Sequence, residues 1–91
     1  MKYSIIIPFK KFYVKHFDRC CKSILNQSEK PNQIIFIDDS GKKNNSKNYL
    51  NSKFKNWKIT IIKNKNNMGV TYSLNKALKF SKNKIIFRID I

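Results

Sequence analysis

Residues 33–39 read QIIFIDD, an uninterrupted run of isoleucine and phenylalanine that ends in two adjacent carboxylates. A short β-branched and aromatic run between polar residues is typical of a strand buried on both faces, and such strands belong to parallel sheets covered by helices. Residues 84–90, KIIFRID, repeat the pattern and end in Asp90. Ligands of open parallel sheets bind beyond the carboxyl ends of the strands, so these acids mark a candidate binding site. Three of only five acidic residues lie at these two strand ends, which favours a site over the alternative that Asp38 and Asp39 merely begin a turn.

Further segments on either side of this strand have regular apolar patterns. Four segments have the composition of buried strands: residues 3–8, 33–37, 57–62 and 84–89. Three segments between them are predicted helices: residues 13–27, 49–54 and 70–81. Strict alternation of the two types predicts an α/β fold, an open, mostly parallel, doubly wound Rossmann-like sheet of four strands with helices on both faces and right-handed crossovers.

The strand order typical of nucleotide-binding sheets predicts where the site lies. In that order the first strand is central, the second and third lie to one side, and the fourth lies on the other. The switch point then falls between the ends of the first and fourth strands, so we expect residues 8–10 to face Asp90, with residues 38–39 at the flank. The chain has only two glycines and no GxGxxG or Walker-type loop, which argues against a dinucleotide or P-loop site.

The composition is strongly basic. Ninety-one residues allow one small domain, and the formal net charge of +15 favours polyanionic partners. Only Arg19 and Arg88 are arginines, whereas Lys, Asn and Ile, all encoded by adenine- and thymine-rich codons, are abundant; codon bias therefore accounts for much of the charge. The chain has no apolar stretch near the about 20 residues needed to span a bilayer and no signal peptide, which predicts a cytoplasmic protein whose basic surface can face the membrane.

Five segments, in order and at matching spacing, resemble a known family: SIIIPF (4–9), SILNQS (23–28), IIFIDDSG (34–41), NNMGVTYSLNKAL (66–78) and KIIFRID (84–90). Over essentially its whole length the chain resembles the amino-terminal half of family 2 glycosyltransferases, which have the A-type nucleotide-sugar fold. The resemblance implies hexosyl or related transfer from a nucleotide-diphosphate donor, typically a UDP-sugar, to a glycan or lipid-linked acceptor, as in polysaccharide biosynthesis.

The resemblance also implies roles for individual residues. The positions that match the family's nucleotide contacts are Pro8, Phe9, Lys10, Asp38, Asp39, Asn67, Gly69 and Asn75. Among them, Asp39 corresponds to the carboxylate that accepts a hydrogen bond from the base, Asp38 shapes the turn, and Phe9 replaces the usual stacking aromatic. Arg88 shares a strand face with Asp90, so it either pairs with that carboxylate or reaches phosphate.

Asp90 matches the first residue of the family's Asp-x-Asp metal motif, and the sequence stops at Ile91, before the second. The full-length family implies Mn²⁺ or Mg²⁺, but one carboxylate is a poor site for an ion that needs several oxygen ligands. The family's base and acceptor pocket lie further along. We therefore expect residues 1–91 to form a single partial domain, an apparently truncated donor-binding half with no catalytic residue of its own, which self-associates through its exposed fourth strand.

A different class of function remains open, a small basic protein that binds nucleic acid or anionic membrane. Lys42, Lys43 and residues 63–65 would provide its charge. This alternative leaves the strand-end acids unexplained, because carboxylates repel phosphate backbones. The glycosyltransferase interpretation is therefore favoured, and nucleic acid is not an expected partner.

Overall fold

The computed structural model describes residues 2–91. These residues form strands β1 (Tyr3–Phe9), β2 (Gln33–Asp38), β3 (Ile59–Lys63) and β4 (Ile85–Arg88), and helices α1 (Val14–Leu25), α2 (Ser46–Lys53) and α3 (Val70–Leu78). The predicted alternation of strands and helices is confirmed.

The helix ends lie within a turn of the prediction, and the largest differences are at the start of α2 and the end of α3. Helix α2 begins at Ser46 because the Asn44 side chain accepts a hydrogen bond from the Ser46 N–H at 3.0 Å. Helix α3 ends at Leu78, since the N–H groups of Phe80 and Ser81 bond to carbonyls three residues back and tighten the chain out of the α-helix.

All four strands are parallel and follow the order β3-β2-β1-β4. This is the predicted order, an α/β Rossmann-like sheet in which the direction of winding reverses between β1 and β4. The carboxyl ends of β1 and β4 therefore leave a crevice between them, because the connections after these two strands run to opposite sides.

Helices cover both faces of the sheet, because alternate side chains of each strand point to opposite faces. One face packs against α1 and α2 in the larger cluster, which includes Ile5, Ile7, Phe17, Ile24, Phe36, Leu50 and Phe54. The other face packs against α3 in a smaller cluster of Ile6, Ile35, Ile37, Ile62 and Ala77. The core thus lies along β1 and β2, the two central strands of the sheet.

The edge strand β4 is much less covered than β1 or β2. It pairs only with β1 within the part of the chain that the structure describes. The Phe87 ring packs edge-on against the Tyr3 ring, with centroids 5.4 Å apart, yet Phe87 is 50% exposed. Across residues 2–91, no helix has the length and apolar character needed to cross a membrane.

Candidate functional site

A cavity of about 280 Å³ lies between the carboxyl ends of β1 and β4. Its walls are formed by Pro8, Phe9, Lys10, Asp39, Asn67, Gly69, Val70, Ser73, Asp90 and Ile91. The first strand contributes one wall, the segment between β3 and α3 contributes a second, and the residues after β4 close the third. The structure therefore gathers seven of the ten sequence-predicted residues at the predicted switch point.

The carboxylate of Asp39 is the most heavily hydrogen-bonded group in this cavity. Its Oδ1 accepts from Asn64 Nδ2 at 2.8 Å and from the Met68 N–H at 2.7 Å. Its Oδ2 accepts from the Gly69 N–H at 2.9 Å and from Asn67 Nδ2 at 3.1 Å. Four donors fill the four lone-pair positions of a carboxylate. Asp39 thereby holds residues 64–69, called the 64–69 loop below, against the end of β2.

This bonding keeps Asp39 ionised. Burial by itself would raise the pKa of Asp39, which is 5% exposed, but the hydrogen bonds from Met68, Asn64 and Gly69, with the nearby charge of Lys10, lower its pKa below the ordinary value. The cavity therefore contains a fixed negative charge with a lysine beside it.

Backbone geometry lets the 64–69 loop close on Asp39. Gly69 has φ +94°, a left-handed conformation that glycine adopts without steric cost, and its N–H points at the carboxylate. Gly41 has φ +72° and packs so closely on the loop that a Cβ there would lie 2.8 Å from the Asn67 nitrogen. The loop after β2 and the loop after β3 are therefore in direct contact.

Asp38 lies outside the cavity, although it is adjacent to Asp39. It is 2% exposed, and its carboxylate accepts from the Ser40 N–H at 2.9 Å, from Asn44 Nδ2 at 3.0 Å and from Lys63 Nζ at 3.4 Å. These partners close residues 40–46, called the 40–46 loop below. Its side chain points there because successive residues at a strand end face opposite ways. The turn-forming role expected of Asp38 matches this geometry.

Two other predicted residues also lie away from the cavity. Asn75 is on the exposed face of α3, whose buried side chains are Ser73 and Ala77. Arg88 Nε donates to Asp90 Oδ1 at 2.8 Å, so the pairing alternative for Arg88 is the one the structure shows.

Phe9 lines the cavity but belongs mainly to the core. It is 5% exposed, and its ring packs edge-on against Phe17 with centroids 4.7 Å apart. Phe9 therefore forms part of the cavity floor and offers little free ring surface for a base to stack on.

The cavity has a basic surrounding. A second cavity of about 410 Å³, between the loop after β1 and the 40–46 loop, is lined by Lys10, Lys11, Lys42 and Lys43. Lys10 lines both cavities. Anionic ligands are therefore favoured at this end of the sheet.

The sequence profile of glycosyl transferase family 2 matches residues 4–90. The chain belongs to this family. No curated protein matches the chain. The resemblance predicted from five short segments is thus confirmed over nearly the whole sequence, and a glycosyltransferase fold is present with its strand-end cavity.

Membership of glycosyl transferase family 2 leads us to expect a divalent cation. The side chains that line this cavity do not provide a suitable set of metal ligands. Residues 2–91 contain no group of three or more His, Cys, Asp or Glu side chains that could hold a metal ion. Both oxygens of Asp39 already accept two hydrogen bonds each, and Asp90 is paired with Arg88. Because Mg²⁺ and similar ions need several oxygen ligands, these residues by themselves do not form a cation site.

Two residues that organise this family 2 site are absent from the sequence-based set. Asn64 is buried and donates to both Asp39 and Ser73, at 2.8 and 2.9 Å, while its Oδ1 accepts from Lys76 at 3.2 Å. It directly follows β3, so the strand-end signal that marked the acids also marks Asn64. Ser73 had no comparable signal, since a serine within a helix is ordinary.

Proposed function

We propose that this chain binds the nucleotide-sugar donor, a UDP-sugar, in the cavity between β1 and β4, for transfer of a hexosyl group to a glycan or lipid-linked acceptor. The observation that carries the proposal is the ionised carboxylate of Asp39 at the switch point of a family 2 sheet. A buried anion in a cavity that also has Lys10 on its wall favours a ligand that combines a hydrogen-bond donor with phosphate.

The base would be recognised by its ring N–H. Uracil carries one such donor at N3, and an ionised carboxylate is a strong acceptor for it. Asp39 must release a bond to accept another, and the bond from Asn67 is the longest of its four, at 3.1 Å. Asn67 Nδ2 also donates to the main-chain oxygen of Asp39 at 2.8 Å, so it keeps a partner when the base arrives.

The diphosphate would lie near Lys10, whose ammonium group is the cation among the residues that line the cavity. An ammonium group stabilises phosphate as a point charge and needs no fixed geometry. Removal of the acceptor's proton is assigned to no residue here, because Asp39 has its lone pairs filled and Asp90 is paired with Arg88. The proposed role of the described residues is therefore to bind and orient the donor.

The distribution of charge supports this proposal over a nucleic-acid or membrane surface. Lys58 and Lys84 precede β3 and β4, at the amino end of the sheet, whereas Lys10 and Lys63 lie at its carboxyl end. A nucleic-acid footprint usually gathers its basic residues on one face. Here the lysines are spread over both ends, as codon bias would produce.

Calorimetric titration with UDP and with UDP methylated at N3 of the base tests the proposal. We expect UDP to bind, and methylation to weaken binding by about tenfold or more, as expected for loss of a hydrogen bond to a charged group. Equal affinities would remove Asp39 from base recognition. Binding that falls steeply with salt and ignores the base would instead favour the polyanion-binding alternative.

A further inference from the structure

Asn64 connects the Asp39 carboxylate to a lysine that does not line the cavity. Its backbone N–H donates to the Asp38 carbonyl at 2.9 Å, which fixes its main chain against the end of β2, and Asn64 is 2% exposed. Its Nδ2 donates to Asp39 Oδ1 at 2.8 Å and to Ser73 Oγ at 2.9 Å. Its Oδ1 accepts from Lys76 Nζ at 3.2 Å. With the main chain fixed and the side chain buried, the orientation of the amide group is the variable that remains.

Rotation of this amide by half a turn would reverse its polarity toward Asp39. The oxygen and nitrogen of an asparagine amide have nearly the same shape, so their hydrogen-bond partners select the orientation. In the reversed orientation Asn64 Oδ1 would face the Asp39 carboxylate, and the two acceptors would repel each other. Protonation of Asp39 would then be favoured, because a hydroxyl group can donate to the amide oxygen. A protonated Asp39 no longer offers an ionised acceptor to a ligand N–H.

Lys76 is the partner that opposes this reversal from the other end of the amide. An ammonium group has three donors and no acceptor, so it bonds to the oxygen of the amide and not to its nitrogen. Ser73 cannot make this selection, because a hydroxyl group both donates and accepts. The charge of Lys76 also strengthens its bond to Asn64.

Helix α3 brings Lys76 to Asn64 by its own periodicity. Ser73 and Lys76 are three residues apart and lie on one face of the helix, where both contact the same amide. Lys76 is partly buried there, and its ammonium group lies 5.8 Å from the centre of the Tyr72 ring. Because an aromatic ring attracts a cation over its face, Tyr72 restrains the ammonium group near Asn64.

We propose that Lys76 is a positioning residue for base recognition, which fixes the amide of Asn64 and thereby keeps Asp39 an acceptor for the base N–H. The inference rests on the proposed binding of UDP, and it gives Lys76 no contact with the nucleotide, because Lys76 is not among the residues that line the cavity. Lys10 does line the cavity and would act as a charge near phosphate. Loss of Lys10 should therefore weaken all nucleoside diphosphates alike, whereas loss of Lys76 should reduce discrimination at N3 of the base.

Calorimetric titration with UDP and with UDP methylated at N3 separates base recognition from charge. Both ligands carry the same phosphates, so loss of a lysine charge by itself weakens both alike. We expect Lys76→Met to lower the ratio of the two affinities by about threefold or more, the size expected for one hydrogen bond. Lys76→Arg should retain most of the ratio, because arginine can donate to the same oxygen. Lys79→Met is the matched control, since it removes an equal charge from an exposed position directly after α3 and should leave the ratio unchanged.

A double substitution shows whether Lys76 acts through Asn64. If it does, Lys76→Met should not lower the ratio further in an Asn64→Ala background, because the effects of coupled residues are not additive. Additive effects would overturn the proposal. A ratio that Lys76→Met leaves unchanged, or that Lys79→Met lowers equally, would overturn it as well.

Hydrogen exchange of the Asn64 side-chain amide, followed by NMR without nucleotide, keeps this inference separate from the proposed function. The Nδ2 hydrogens should exchange faster in Lys76→Met than in the unsubstituted chain or in Lys79→Met, because a reversed amide turns them away from Asp39 and Ser73. Unchanged exchange would overturn the role of Lys76 even if UDP binds as proposed. Faster exchange without any binding of UDP would contradict the nucleotide proposal and support the fixing of the amide by Lys76.

Discussion

The 40–46 loop and the 64–69 loop each close around one of two adjacent carboxylates, yet they are built differently. Asp38 and the 40–46 loop form a mainly local unit, in which Ser40 and Asn44 are two and six residues away in sequence. The carboxylate of Asp39 accepts all four of its hydrogen bonds from residues 25 to 30 positions away in sequence. The difference shows that a turn can be specified by its own residues, whereas the cavity beside Asp39 forms only where two crossover connections meet.

The largest expected effect is the difference in UDP affinity between substitutions of the two carboxylates. Asp39→Asn should lower the free energy of unfolding by about 2 kcal/mol and weaken UDP binding at least about tenfold, because the new amide presents a donor to the donors of the 64–69 loop. Asp38→Asn is the matched control, which should also destabilise the protein by about 1–2 kcal/mol but leave UDP affinity nearly unchanged. Urea denaturation and titration calorimetry measure the two effects. Equal losses of affinity would show that the loops share the ligand.

Substitution of the two glycines tests the contact between the loops. Both Gly41 and Gly69 have positive φ, so alanine at either position introduces backbone strain of about 1 kcal/mol. At Gly41 the new Cβ would also meet the Asn67 nitrogen at 2.8 Å, whereas no atom lies within 4 Å of a Cβ at Gly69. We expect Gly41→Ala to cost about 1–2 kcal/mol more than Gly69→Ala in thermal or urea unfolding. Similar costs would mean that the loops separate easily.

The smallest expected effect is on the pH dependence of stability. Burial would raise the pKa values of Asp38 and Asp39, but their hydrogen bonds outweigh it and lower both. A lowered folded-state pKa means that the unfolded chain binds protons first, so this stabilisation is complete above the unfolded pKa of about 4 and is lost as pH falls through the folded value. The stability deficit of Asp39→Asn should therefore shrink in acid, as urea denaturation at pH 7 and pH 3 would show. If the stability deficit of Asp39→Asn did not change with pH, the substitution would act through the hydrogen-bonding geometry of the side chain and not through its charge.

Strand and helix patterns, and hence the order of elements, were predictable because they depend on residues close in sequence. The run before Asp38 is buried on both faces, as its composition predicts, whereas the same prediction for the run before Asp90 is wrong within the described residues, because β4 pairs only with β1 there and stays largely exposed. Parallel strands need crossover helices, which leads to the doubly wound sheet and to the position of its switch point. The turn at Asp38 was also accessible, since Asp before Ser-Gly forms a turn from its own side chain and backbone.

The family resemblance already distinguished Asp39 from Asp38, but tertiary structure alone decided how Asn64 and Ser73 support Asp39, and that Phe9 is buried against Phe17. These features depend on which side of a strand end each side chain faces and on contacts between segments about 25 residues or more apart in sequence for Asp39. A one-residue shift in the end of β2 would exchange the roles of Asp38 and Asp39, because neighbouring residues of a strand face opposite ways. The amino-acid sequence therefore determines the fold and the location of the site, and the packing of distant segments determines which contacts each acid makes within it.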